Sequence, residues 1–128
     1  MRHLLLAAMV AIAIAVLPAG NGNAAPKYPY EGLWGSNTKA CRDEDGVSRM
    51  EINSSGFFWY ESRCRASDVK AAGTNAWTMR LACEGEGEKF KGTPRLSLPA
   101  PDRLVMEKSP VGQEKRQVYV RCAMPRVK

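Results

Sequence analysis

From residue 32 onward the apolar positions of this chain recur at every second residue, the period of a strand with one buried face. In 49–53, Met50 and Ile52 share a face, and Asn53-Ser54-Ser55-Gly56 follows as a turn signal. Residues 57–64 are dense in aromatics and form the strongest strand candidate, with Phe58, Tyr60, Ser62 and Cys64 as the expected inner face. A polar segment, 65–75, reads as a connection. In 76–83 Trp77, Met79, Leu81 and Cys83 alternate with Thr78, Arg80 and Ala82. Residues 84–88 read as a Gly/Glu loop, 95–98 as a short strand with Leu96 and Leu98 inward, and 99–102 as a turn. Residues 103–108 and 117–122 complete the set, the latter with Val118, Val120 and Cys122 on one face.

No stretch beyond residue 25 has sustained helical spacing, although a single helical turn fits 36–42. Short antiparallel strands joined by tight turns predict an all-β fold, a small up-and-down barrel of six to eight strands in meander order. The inward set, Phe58, Tyr60, Trp77, Met79 and Leu81, is bulky enough to fill such a barrel. Binding at the surface is therefore expected in preference to an internal cavity.

The apolar pattern at the N-terminus is of another kind. Residues 4–17 form an unbroken apolar run of fourteen, preceded by Arg2 and followed by Pro18, Gly20 and small residues up to Ala24 and Ala25. A bilayer core needs about 20 apolar residues, so residues 1–25 read as a cleaved secretory signal and not as a transmembrane segment. No Cys stands at the start of the mature chain to carry a lipid. The expectation is a soluble periplasmic monomer. It comprises an extended N-terminal arm (26–31), one barrel domain (32–124) and a basic tail (125–128).

Export changes the reading of the cysteines. Cys41, Cys64, Cys83 and Cys122 are separated by 23, 19 and 39 positions, unlike the close ligand pairs of a zinc site. In an oxidising compartment they predict two disulfides. Cys64, Cys83 and Cys122 are in phase with the apolar residues of their strands, so their sulfurs are expected to face inward. A strict meander gathers Cys41, Cys64 and Cys122 at one end and favours Cys41–Cys64 with Cys83–Cys122, among three possible connectivities.

The whole chain carries a net charge of +6; loss of Arg2 leaves 18 basic and 13 acidic residues, +5 in all. These charges are scattered along the chain with acids among the bases, which reads as solubility and excludes nucleic acid as the expected partner. The sole histidine, His3, lies in the leader, so the mature chain lacks the usual general base near neutral pH and the commonest metal ligand. An enzyme is not expected, nor is a cofactor or metal. Glu84, Glu86 and Glu88 read as solvated loop carboxylates, with weak calcium binding as the rival. Met50, Met79, Met106 and Met124 read as core.

Two resemblances add to this. Gly32-Leu33-Trp34, a G-x-W just past the arm, resembles the lipocalin signature, in which the Trp closes one end of the barrel. The layout is similar to the bacterial alkaline protease inhibitor family, with its signal peptide, short arm and small disulfide-bearing barrel. The chain is shorter than typical lipocalins and has four cysteines where those inhibitors have two. Trp77, Cys83, Gly85 and Gly87, following the earlier Trp and Cys positions, also resemble small uncharacterised exported β-barrel proteins of alphaproteobacteria.

Strand alternation leaves Phe57 and Trp59 pointing outward unless Tyr28 or Tyr30 of the arm covers them. These four are the candidate partner surface, with Gly32 and Trp34 at the barrel end. The functional expectation is a periplasmic binding module acting through its surface, in the manner of a protease or lysozyme inhibitor. The alternative is a structural or envelope-associated protein contacting anionic glycan or lipopolysaccharide.

Overall fold

The computed structural model describes Ile12 and residues 25–123. The expected leader (1–25) and basic tail (125–128) lie outside the described residues, Ile12 and Ala25 excepted, as does Met124. Nine strands follow one another: β1 (Gly32–Gly35), β2 (Arg49–Asn53), β3 (Gly56–Phe58), β4 (Ser62–Ala71), β5 (Ala76–Gly85), β6 (Glu88–Gly92), β7 (Arg95–Ala100), β8 (Arg103–Glu107) and β9 (Gln117–Arg121). A 3₁₀ turn, Ala40–Arg42, sits in the β1–β2 connection where a helical turn was expected.

Every pairing is antiparallel, and the sheet closes through β4–β5 and β1–β9 into a barrel of eight strands with β6 as an extra. The fold is the expected all-β meander. β6 and β7 lie end to end along one edge of β5, β6 against 81–85 and β7 against 76–78. Buried Pro94 separates them, since its nitrogen offers no hydrogen to a ladder.

Inward positions fill the lumen. Trp34, Met50, Leu96, Leu104 and Met106 are fully buried, with Ile52, Phe57, Met79 and Leu81 at 1–2 % exposure. Each such side chain removed from water contributes roughly 1.5–3 kcal/mol. Three of the four methionines expected in the core, Met50, Met79 and Met106, are there.

The expected 57–64 strand is two strands. The chain reverses at 59–61, where the Trp59 amide donates to the Ser62 carbonyl (2.8 Å), and β3 pairs back on β4 with Phe57 opposite Cys64 and Phe58 opposite Arg63. That turn inverts the phase before it. Phe57 points inward, Phe58 lies on the outer face, and Tyr60 stands at the tip with 60 % of its surface exposed. β4 then continues through the segment expected to be a connection. β9 is also out of the expected phase: Tyr119 pairs with buried Leu104 and faces inward, while Val118 is exposed.

The longer β4 corrects the disulfide pairing. With β4 starting at Ser62, Cys64 lies near the start of one strand and Cys83 near the end of its antiparallel neighbour. They are directly opposite, 4.0 Å apart at Cα, and bonded. Cys122, just past β9, bonds Cys41 of the 3₁₀ turn. Cys122 shares the outer phase of Gly35, where a Cβ would stand only 2.9 Å from the Cys41 sulfur and 3.2 Å from that of Cys122. A glycine there lets the bridge lie flat on the strand pair.

Non-reducing peptide mapping should recover Cys41–Cys122 and Cys64–Cys83 only. Denaturant unfolding should show a larger loss for the Cys41→Ser/Cys122→Ser double variant, about 4–5 kcal/mol, than for Cys64→Ser/Cys83→Ser, about 3 kcal/mol. The first bridge, spanning 81 positions against 19, removes more chain entropy from the unfolded state.

Candidate functional site

The meander puts the arm and the turns at 53–56, 71–76 and 100–103 at one end of the barrel, the arm end. The β1–β2 connection, the turns at 59–61 and 86–87, and segment 108–116 form the other, the far end. Both ends are plugged, by different chemistry.

At the arm end Trp34 of β1 projects into the lumen and its indole nitrogen donates to the Tyr30 carbonyl (2.9 Å). Arg121 pairs with Trp34 across the β1–β9 seam and lays its guanidinium 4.3 Å from the ring centre. The same guanidinium donates to three carbonyls, those of Pro29 (2.8 Å), Glu31 (2.9 Å) and Pro101 (2.9 Å). One side chain thereby ties the arm and the β7–β8 turn across the barrel mouth. Burial pulls the Arg121 pKa below its usual value, while Asp102 acts in the opposite direction.

The arm's tyrosines complete the plug. Tyr28 stacks on Tyr30 (5.1 Å between ring centres), and Tyr30 meets Trp77 edge-on (5.0 Å) and Phe57 at 6.4 Å. Phe57 in turn stacks on Trp59 at 6.0 Å. The four residues expected to form a partner surface, Tyr28, Tyr30, Phe57 and Trp59, are thus an aromatic series running inward from the arm end. Tyr30 and Phe57 are buried, and Tyr28 and Trp59 are partly buried against the core. The expected exposed patch is replaced by a covered one, because the arm folds over the mouth and the turn at 59–61 rotates Phe57 inward. Burial, then the nearby Tyr28 and Glu31, push the Tyr30 hydroxyl pKa well above the ordinary value.

At the far end Trp59 donates its indole hydrogen to the Tyr119 hydroxyl (3.4 Å), which donates to Gln117. Gln117 donates to the carbonyls of Val111 (2.7 Å) and Glu114 (3.2 Å), and buried Ser109 donates to Val111 (2.8 Å). Burial raises the Tyr119 pKa, with the Trp59 hydrogen bond working against it. Outside this plug lies an open groove of about 540 Å³, with Val47, Tyr60, Glu61, Glu86 and Val111 in its walls. Glu86 raises the Glu61 pKa, first by accepting a hydrogen bond from the protonated form of Glu61 and then by its negative charge. Of the other loop carboxylates, Glu84 lies within β5 in an ion pair with Arg63 and Glu88 opens β6. No group of three His, Cys, Asp or Glu side chains among the described residues is arranged to hold a metal ion. No helix among them is long and apolar enough to cross a membrane.

Of the pair that sequence reasoning marked, Gly32 opens β1 next to the arm and Trp34 is fully buried two residues on. That reasoning missed Arg121, whose role depends on a partner 87 positions away and has no local signal. Strand alternation places Tyr60 on the inner face, and the turn at 59–61 exposes it instead. No family model matches this chain, and neither a curated protein nor a solved structure is significantly similar to it.

Arg121→Ala should lower the unfolding free energy by about 2–4 kcal/mol, combining charged hydrogen bonds with a cation–π contact. Arg121→Lys should recover less than half of that, since an ammonium cannot span three carbonyls as a planar fork does. Tyr30 and Tyr119 ionise less readily folded than unfolded. Their contribution to stability is therefore complete below the unfolded tyrosine value of about 10 and declines as pH rises through and beyond it. Urea midpoints from pH 7 to 11 should show that decline, reduced in Tyr30→Phe and Tyr119→Phe.

Proposed function

We propose that the chain is exported to the periplasm by its leader and acts there as a binding module through its surface, contacting a partner protein at the far-end groove. Inhibition of a secreted hydrolase, a protease or a lysozyme, is the form of binding that the layout favours. The observation that carries this reading is the convergence of two exposed apolar side chains, Tyr60 (60 %) and Val47 (55 %), on one groove.

Supporting it, the lumen is occupied by core side chains, so a lipocalin-type internal ligand has no seat. The groove wall is also rigid. Trp59 is held by its stack on Phe57 and its bond to Tyr119, and Tyr60 projects from the turn beside it. A preformed aromatic wall loses little conformational freedom on association, which makes it an efficient anchor. A cationic side chain from the partner, set between Glu61 and Glu86, would relieve the repulsion of that pair.

Tyr60→Ala should change stability by no more than about 0.5 kcal/mol, being exposed, yet weaken inhibition of the target hydrolase at least about tenfold. The check is a titration of purified lysozymes and secreted proteases with wild type and variant, repeated at raised salt, where an aromatic-anchored contact persists. Hydrolases left untouched by micromolar wild type, or equal potency of Tyr60→Ala, would remove the reading.

A further inference from the structure

The basic residues that look scattered in sequence are gathered by strand register. On the outer face of β4, β5 and β6, Arg63 lies beside Glu84 and then Lys89, and one step along Arg65 lies beside Ala82 and then Lys91. Arg80 follows on β5, beside Ser67 of β4. All of these point away from the lumen, because Cys64, Leu81 and Cys83 alternate with them and are buried. Five cations share this part of the face, with Lys70 further along β4 opposite Thr78. Two are offset, Arg63 by Glu84 and Arg80 by Asp68 at 3.3 Å. Among the described residues Arg65, Lys89 and Lys91 have no carboxylate within ion-pair distance. This part of the face sets five cations against the carboxylates of Glu84 and Asp68, a net +3.

Its shape is as informative as its charge. The side chain at the centre is Ala82, with Arg65 on one flank and Lys91 on the other, roughly 10 Å apart at two strand spacings. Two surface grooves, of about 610 and 520 Å³, meet at Ala82. The first carries Phe58, Arg63 and Lys89 and the second Ser67, Arg80 and Thr93. Together they make a trough along β5, floored by a methyl group and walled by cations.

We infer that this trough binds a linear anionic polysaccharide, beside the far-end groove but sharing no lining residue with it. Held without a counter-charge, Arg65, Lys89 and Lys91 repel one another; acidic groups along a polymer lying between them remove that repulsion and release bound counterions. The exposed hydroxyls of Ser67 and Thr93 suit sugar hydroxyls, and Phe58 at one end offers a ring for a sugar face. A single-stranded nucleic acid would need an aromatic platform for successive bases, and the centre of this face has none.

The test is titration of the mature protein with dextran sulfate, neutral dextran and an oligothymidylate matched to the dextran sulfate in charge. Wild type should bind dextran sulfate at about 50 mM salt and lose affinity as salt rises; neutral dextran should not bind. Arg65→Glu/Lys91→Glu should cost at least about tenfold in affinity, with Arg42→Glu/Arg103→Glu, the same charge change elsewhere, within about twofold. Ala82→Tyr, which fills the floor without altering charge, should cost at least about fivefold. Tyr60→Ala should bind as wild type. Circular dichroism of each variant checks that the barrel is retained. The proposal is overturned if wild type does not bind, if the two charge reversals weaken binding equally, if Ala82→Tyr binds as well as wild type, or if the oligothymidylate binds as tightly as dextran sulfate.

Discussion

The barrel exists as a barrel because of a seam only two residue pairs long. β1 and β9 meet at Trp34–Arg121 and Gly35–Val120, extended by the Cys122 amide donating to the Leu33 carbonyl. A ladder that short is weak by itself, and an open eight-stranded sheet would expose its apolar face and two edges. The seam is reinforced on both of its sides. Inside, Arg121 covers Trp34 and ties three carbonyls together; outside, Cys41–Cys122 clamps the 3₁₀ turn over Gly35. Two unlike interactions, one electrostatic and one covalent, hold the same few ångströms of backbone.

Closure decides where chemistry can take place. Eight strands enclose a space just wide enough for side chains, and here Trp34, Met50, Phe57 and Leu96 occupy it. The arm and segment 108–116 then plug the two ends. The inward positions are largely committed to the core, so the proposed binding falls to outward positions and rims. Alternation sorts the chain accordingly. On β4 and β5 the same period that sends Cys64, Leu81 and Cys83 inward sends Arg63, Arg65 and Arg80 outward. A filled interior and a cationic exterior are two consequences of one pattern.

The architecture was largely legible in sequence because period-two alternation and turn chemistry are local. β2, β7 and β8 lie within a residue or two of expectation, and Trp77, Met79, Leu81 and Cys83 do share the inner face of β5. What escaped is non-local. The reversal at 59–61 has no glycine, proline or asparagine to announce it, so Phe57-Phe58-Trp59-Tyr60 looked continuous. That single turn displaced β4, and with it the phase of Phe57 and the partner of Cys64. The phase of β9 was hidden for a related reason: Val118, Val120 and Cys122 are apolar yet outward, because Cys122 must reach Cys41 and Tyr119 must face Leu104. The basic face could not be seen until register set β4, β5 and β6 side by side, although each residue was in view throughout.

The most direct test of the account is native-state hydrogen exchange at the seam. If closure is what the fold depends on, the Cys122 amide exchanges only through global unfolding, with the same opening free energy as the Leu81 and Cys83 amides in β5. An exchange rate at Cys122 orders of magnitude faster than in β5 would show a sheet that opens along β1–β9 in the native state. The lumen would then be accessible, and the proposed confinement of binding to the outer surface would fail.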